Sequence, residues 1–87
     1  MRRGDIVTVA MQGDFGKPRP AVVIQSDALL GTRHVMICPF TSSSADVPMI
    51  RYLIRSSAGN GLRADSRLML NNVATVSREK CGPVIGR

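Results

Sequence analysis

Arg19 stands between Pro18 and Pro20. Proline fixes its own φ at about −65° and drives the residue before it towards extended backbone. A guanidinium on so stiff a stretch can be aimed, and its planar fork of donors matches the oxygens of a phosphate or carboxylate. A solvated loop arginine is the other reading, and the local sequence leaves both open. Thr41 and Ser42 follow Pro39 and Phe40. Their hydroxyls can hold a phosphoryl oxygen or close a turn at a strand end, and the turn is the simpler role. Asp65, Ser66 and Arg67 precede Leu68-Met69-Leu70 and read as a strand start with an ion pair. His34, the one histidine, opens a strand, where a surface or packing role is commoner than catalysis.

What is missing narrows the chemistry. The chain has no Cys-x-x-Cys pair, no Walker-type loop, no HExxH and no cluster of carboxylates fit for two metals. No metal and no cofactor are expected. Cys38, inside Val35-Met36-Ile37-Cys38-Pro39, reads as a small buried hydrophobe, and Cys81 beside Gly82-Pro83 carries no signal. The net charge of +6 comes from ten Arg and two Lys against five Asp and one Glu. Such an excess of guanidinium points to anionic partners. Nucleic acid leads, through the salt-dependent attraction of a phosphate backbone; an acidic protein fits equally well, and a solubility role is the plainest alternative.

These residues need elements to hold them. Eighty-seven residues suffice for one domain, spanning 1–87, with one modest core. With Phe15, Phe40 and Tyr52 the only aromatics, that core must be aliphatic. Apolar runs of strand length recur at 6–10, 21–24, 35–40, 49–54, 68–70 and 73–76, with turn-forming breaks at 12–14, 16–18, 41–46 and 58–61. The run 21–24 is apolar throughout and reads as a central strand, whereas 6–9 and 51–55 are mixed and read as peripheral. A helical turn is expected at 27–31, with Ser26 or Asp27 as N-cap. The segment 82–87 reads as an apolar beginning without a strand. The sum is a mainly β chain, a small antiparallel barrel or compact sandwich with at most one or two helical turns. No apolar run approaches a membrane span, and Met1-Arg2-Arg3-Gly4-Asp5 leads into no signal-like stretch, so a cytoplasmic protein is expected.

In order and spacing the chain resembles the MazF/PemK toxin endoribonucleases. The resemblance runs from Arg3-Gly4-Asp5-Ile6-Val7 through Lys17-Pro18-Arg19-Pro20 and Val22-Val23-Ile24-Gln25-Ser26-Asp27 to Pro39-Phe40-Thr41-Ser42. It continues through Asn60-Gly61-Leu62, Asp65-Ser66, Ala74-Thr75-Val76 and Lys80-Cys81-Gly82, covering essentially the whole chain. It implies an SH3-like barrel, a homodimer, metal-independent cleavage of single-stranded RNA and neutralisation by a cognate acidic antitoxin, with operator DNA engaged through the antitoxin complex. It also implies that Arg19 and Thr41 are catalytic, with Lys17, Ser42, Arg67 and Asn71 as RNA contacts. Asn71 and Asn72 stand where similar proteins carry an acidic residue.

Two other functions fit the same barrel. One is a CcdB-like topoisomerase poison, disfavoured because that family's target contact resembles a tip bearing Trp and this chain has none. The other is a catalytically impaired module that captures an antitoxin and acts with it as a corepressor on DNA. The family also runs on past 82–86 into a C-terminal helix packed on the barrel, while this sequence stops at Arg87. An uncovered apolar face is therefore expected. A chain carrying a helical extension should melt at a higher temperature than this one, and equal melting temperatures would overturn that expectation.

Overall fold

The computed structural model describes residues 1–10, 18–29, 31–41 and 51–87. Lys17, Ser42 and the expected turns at 12–14 and 42–46 lie outside them. Seven strands form one antiparallel sheet: β1 (Ile6–Ala10), β2 (Pro18–Val23), β3 (His34–Thr41), β4 (Arg51–Ile54), β5 (Ser66–Met69), β6 (Ala74–Ser77) and β7 (Cys81–Gly86). The order is β4-β5-β3-β2-β1-β7, with β6 added to β3. Helix is confined among the described residues to single 3-10 turns at Asp27–Leu29, Leu70–Asn72 and Arg78–Lys80, where the sequence anticipates one or two. The first of them falls where the helical turn was expected, capped by Ser26, whose Oγ accepts from the Ala28 N–H at 3.2 Å.

Strand β3 is the axis. One edge meets β2, with Ala21, Val22 and Val23 opposite Pro39, Cys38 and Ile37. The other edge meets β6 from His34 to Ile37 and then β5 at Phe40 and Thr41. The Leu70–Asn72 turn carries the chain from β5 to β6 across this gap. Pro39 sits in the gap, and the ladder explains why it can. In an antiparallel strand successive backbone groups face opposite edges. Val23 donates to Asp5 of the segment leading into β1, and Ile24 donates to Met36, so odd residues of β2 face β1 and even ones face β3. Across the pairing, even residues of β3 face β2 and odd ones face β5 or β6. Pro39, with no N–H to give, thus spares the β2 edge and falls where no strand asks for its donor.

Alternation sorts the side chains into two apolar clusters. Val7, Val9, Ala21, Val23, Val35 and Ile37 form one, with Met1, Ala74, Val76 and Cys81 against it. Ile6, Phe40 and Leu62 form the other on the opposite face, with Val22, Ile54, Leu68 and Ile85. Each fully buried Val or Ile contributes about 1.5–3 kcal/mol, so the core is aliphatic, as composition requires, with Phe40 its one aromatic member among the described residues. Met36, Leu70 and Val73 are exposed along β3 and the crossing turn beside it.

Three expectations need correction. Cys81–Gly86 is a full strand, β7, paired with β1; its Gly82 and Pro83 lie where register shifts break the ladder, which is why it does not look like a strand in sequence. That pairing makes β1 internal to the sheet rather than peripheral. Asp65 pairs with Arg55 at 3.8 Å rather than with Arg67, because its carboxylate also accepts from the Ser56 N–H at 2.7 Å and is held on that side.

The ladder is not closed among the described residues, but the loop after β4 bridges towards β7. Asn60 is buried and fully occupied: its Oδ1 accepts from Ser57 and Leu62, each at 3.0 Å, and its Nδ2 donates to the Arg55 carbonyl at 2.8 Å. The Arg87 N–H donates to the Gly59 carbonyl at 2.9 Å. The two backbones approach so closely that a Cβ at Gly61, whose φ is +70°, would strike the Ile85 carbonyl. At the other end of the chain, Gly4, with φ +94°, donates to the Val23 carbonyl while Asp5 accepts from the Arg2 N–H at 2.7 Å and meets Arg87 at 3.7 Å. The Arg3-Gly4-Asp5 string therefore works as a turn that starts β1.

Two stability predictions follow from this packing. Gly61→Ala should cost more than about 1 kcal/mol in urea unfolding, whereas Gly59→Ala, whose new Cβ meets only the Ser57 Oγ at 3.8 Å, should stay within about 0.5 kcal/mol of wild type. Burial pushes the Cys38 thiol above its ordinary value of 9.0. The folded state therefore keeps a proton that the unfolded state releases, and stability should fall as pH rises beyond 9.0. That alkaline loss should shrink in Cys38→Ala; an unchanged slope would refute it.

Candidate functional site

Arg19 lies within β2 itself, not in an approach to it. Its odd position turns its N–H towards Val9 of β1, leaving Pro18 and Pro20 to occupy the donor positions on the side that faces β3. Two missing donors are what lets β2 and β3 part beyond Ala21 and Pro39. Carried two residues further, the β2–β3 register sets Arg19 across from Thr41. Thr41 in turn is directly opposite Arg67 of β5, and Arg67 is opposite Leu53 of β4. On the near side, Arg19 is opposite Val9, and Val9 opposite Cys81 of β7.

Residues directly opposite in an antiparallel ladder share a face. One transverse row thus runs Cys81, Val9, Arg19, Thr41, Arg67, Leu53, on the face of the Val7–Ile37 cluster, where the apolar packing gives way to polar side chains. Ladder spacing puts the backbones of Thr41 and Arg67 about 5 Å apart, with Arg19 across the opening on the other side of Thr41. All three are half-buried, and the Nε of Arg19 is shielded from solvent altogether. Charges in such a setting are screened less than on an open surface, so a face that carries both Arg19 and Arg67 suits an anionic ligand.

The other residues singled out by sequence fall differently. Asn71 is exposed in the turn between β5 and β6, which packs against β3 and β4. That crossing lies beside Cys38, whose Sγ donates to the Met69 carbonyl at 3.6 Å, about three residues or 10 Å along β3 from Thr41. Asn71 therefore borders the row without joining it. Lys17, next to Pro18, and Ser42, next to Thr41, lie outside the described residues. His34 is exposed at the start of β3, at the far end of the strand. The thiols are both free and both pushed above the ordinary thiol range by burial, with Arg78 partly opposing the rise at Cys81. Neither is poised as a nucleophile.

Leu53, 42% exposed at the end of the row, is a residue sequence reasoning passed over; only the strand register brings it there. An open cleft of about 280 Å³ between β1 and β7 touches the row's other end through Val9 and Cys81 and carries Lys80 on its rim. No group of three or more His, Cys, Asp or Glu side chains among the described residues is placed to hold a metal ion. No described helix is long and apolar enough to cross a membrane.

The chain and its fold have known relatives. The probable endoribonuclease MazF of Mycolicibacterium smegmatis is 43% identical over 88 residues, a match covering all of this chain and 81% of that protein. Among solved structures, the Mycobacterium tuberculosis toxin MazF-mt6 superposes with a TM-score of 0.79 at 20% identity, over 95% of this chain and 78% of the other. An endoribonuclease in complex with its cognate antitoxin, from a mycobacterial species, superposes at 0.75 and 16% identity, over all of this chain and 78% of that one. The sequence model of the PemK-like, MazF-like toxins of type II toxin–antitoxin systems matches residues 2–87, and the chain belongs to that family.

Proposed function

We propose that the chain is a single-domain ribonuclease toxin that cuts single-stranded mRNA at short sequences without a metal ion. The observation that supports the reading is the strand register, which pairs Thr41 with Arg67 and, continued past the last β2–β3 pair, puts Arg19 on the other side of Thr41 on the same face. Internal cleavage of RNA needs little more. The 2′-oxygen attacks the adjacent phosphorus, a 2′-O–P bond forms, the P–O5′ bond breaks, and a cyclic phosphate and a 5′-hydroxyl result. The 2′-hydroxyl proton departs to solvent and the leaving 5′-oxygen gains one. Negative charge peaks on the phosphoryl oxygens between these events, and donors fixed beforehand around that position lower the barrier.

Arg19 is the group to supply that field. A guanidinium is a poor base but a strong hydrogen-bond donor, so it stabilises the charge and donates towards the leaving oxygen. Thr41 orients the phosphate by hydrogen bonding. Lys17 and Ser42, adjoining these two in sequence, and Asn71, on the bordering turn, contact the RNA on either side. The basic surface draws RNA in by counterion release and meets an acidic antitoxin by the same attraction. We further propose a cytoplasmic homodimer that reaches operator DNA only through its antitoxin complex.

Purified protein incubated with a defined single-stranded RNA in EDTA, with the cut ends mapped, tests this reading. Cleavage should persist under chelation and fall by about 100-fold or more in Arg19→Ala, with the melting temperature little changed. Intact RNA together with tight antitoxin binding would instead identify a binding module, and inhibition of a topoisomerase without RNA cleavage would identify a CcdB-like poison.

A further inference from the structure

The side chain at position 67 is out of keeping with its surroundings. It lies within a short strand beside Ser66 and Met69, both buried, and Leu68, which packs on the Ile6–Phe40 cluster. Arg67 is itself half-buried. The ion pairs among the described residues join Arg2 to Asp27, Arg55 to Asp65 and Arg87 to Asp5, and the charged end of Arg67 is open to solvent. Asp65, two residues away, is turned to Arg55 and the Ser56 N–H. Among the described residues the guanidinium of Arg67 has neither an acidic partner nor a hydrogen bond. A half-buried guanidinium left in this state is a site for an anion brought from outside.

Where that anion sits follows from the register. Arg67 is the direct cross-strand neighbour of Thr41, and Arg19 is the neighbour on the other side by continuation of the β2–β3 pairing. An arginine on each side of Thr41, on one face of the sheet, lets both side chains reach an anion held at its hydroxyl. We propose that Arg67 is a second catalytic arginine, donating to a non-bridging oxygen of the same scissile phosphate that Arg19 and Thr41 hold. This rests on the ribonuclease reading above and assigns within it a division of labour. Arg19 serves the leaving oxygen. Arg67 transfers no proton and neutralises the charge that builds on the phosphoryl oxygen opposite.

Kinetics on a defined RNA separate this from simple RNA binding. In Arg67→Leu, kcat should drop about 100-fold while KM stays within about twofold, because the interaction strengthens only as charge builds. Affinity for an uncleavable RNA carrying a 2′-deoxy sugar at the cut position should hardly change, and Arg67→Lys should recover part of kcat by restoring the charge without the fork. If Arg67→Leu does not fold, Arg67→Gln, which keeps a polar planar end without the charge, decides the question by the same readouts. Unchanged kcat, or a loss confined to KM with weaker binding of the deoxy RNA, places Arg67 on a neighbouring phosphate and overturns the assignment. A wild-type chain that cuts no RNA overturns the ribonuclease reading and this assignment together, whereas a cutting wild type indifferent to position 67 overturns the assignment alone.

Discussion

The pairing of β2 with β3 is the constraint on which the rest of the molecule depends. Three residue pairs, Ala21 with Pro39, Val22 with Cys38 and Val23 with Ile37, set its register. A shift of a single residue would turn every side chain of one strand to the wrong face. The Val7–Ile37 cluster would lose half its members, and Arg19 would leave the face of Thr41. The apolar side chains that hold the register are those of the core, so the energy that folds the sheet also fixes the distance between the two charged or hydroxylic groups at its rim. Position and stability are the same interaction seen at two ends of a strand.

Three prolines shape how far that pairing runs. Pro18 and Pro20 remove donors from the edge of β2 that faces β3, and Pro39 removes one from the opposite edge of β3, where it changes partner from β6 to β5. None of them breaks a bond that a neighbouring strand requires. Together they let the sheet open at Arg19 and Thr41 and bend at Pro39, and the opening is where polar side chains replace the apolar core. A ladder hydrogen-bonded to its end would have left less room for a ligand between these strands.

Much of this was legible in the residues. Runs of Val and Ile at strand length mark β1, β3 and β6 nearly to their ends but only the second half of β2, whose Pro18-Arg19-Pro20 start reads as loop, and Cys38 declared itself as core by its neighbours. Other features depend on long-range pairing that no local pattern carries. β7 is disguised by Gly82 and Pro83, which suit the shifted register opposite β1 but resemble a loop in isolation. The partner of Asp65 is Arg55, ten positions earlier and just past the end of β4, rather than the nearby Arg67. At the site, the Pro-Arg-Pro string announced Arg19, but only the pairings Thr41 with Arg67 and Arg67 with Leu53 reveal which side chains stand in line with it. The row is assembled from six strands, each contributing one residue, and spacing along the chain holds no record of it.

The placement of charge across the molecule separates two tasks that composition merges. Arginines such as Arg2, Arg55 and Arg87 are largely exposed and lie near carboxylates at 3.7–3.9 Å, where each pair is worth little and salt weakens it further. Their effect on an approaching polyanion is long in range and indifferent to sequence. Arg19 and Arg67 are instead half-buried along one row, where reduced screening makes their field strong but short in range. In the ribonuclease reading proposed above, a phosphate gains from that field only when it sits over Thr41. Salt should therefore weaken capture by the outer arginines well before it weakens the field at the row, and a nucleic-acid-binding charge excess and a phosphate-directed site can coexist on one small sheet because burial, not the number of arginines, distinguishes them.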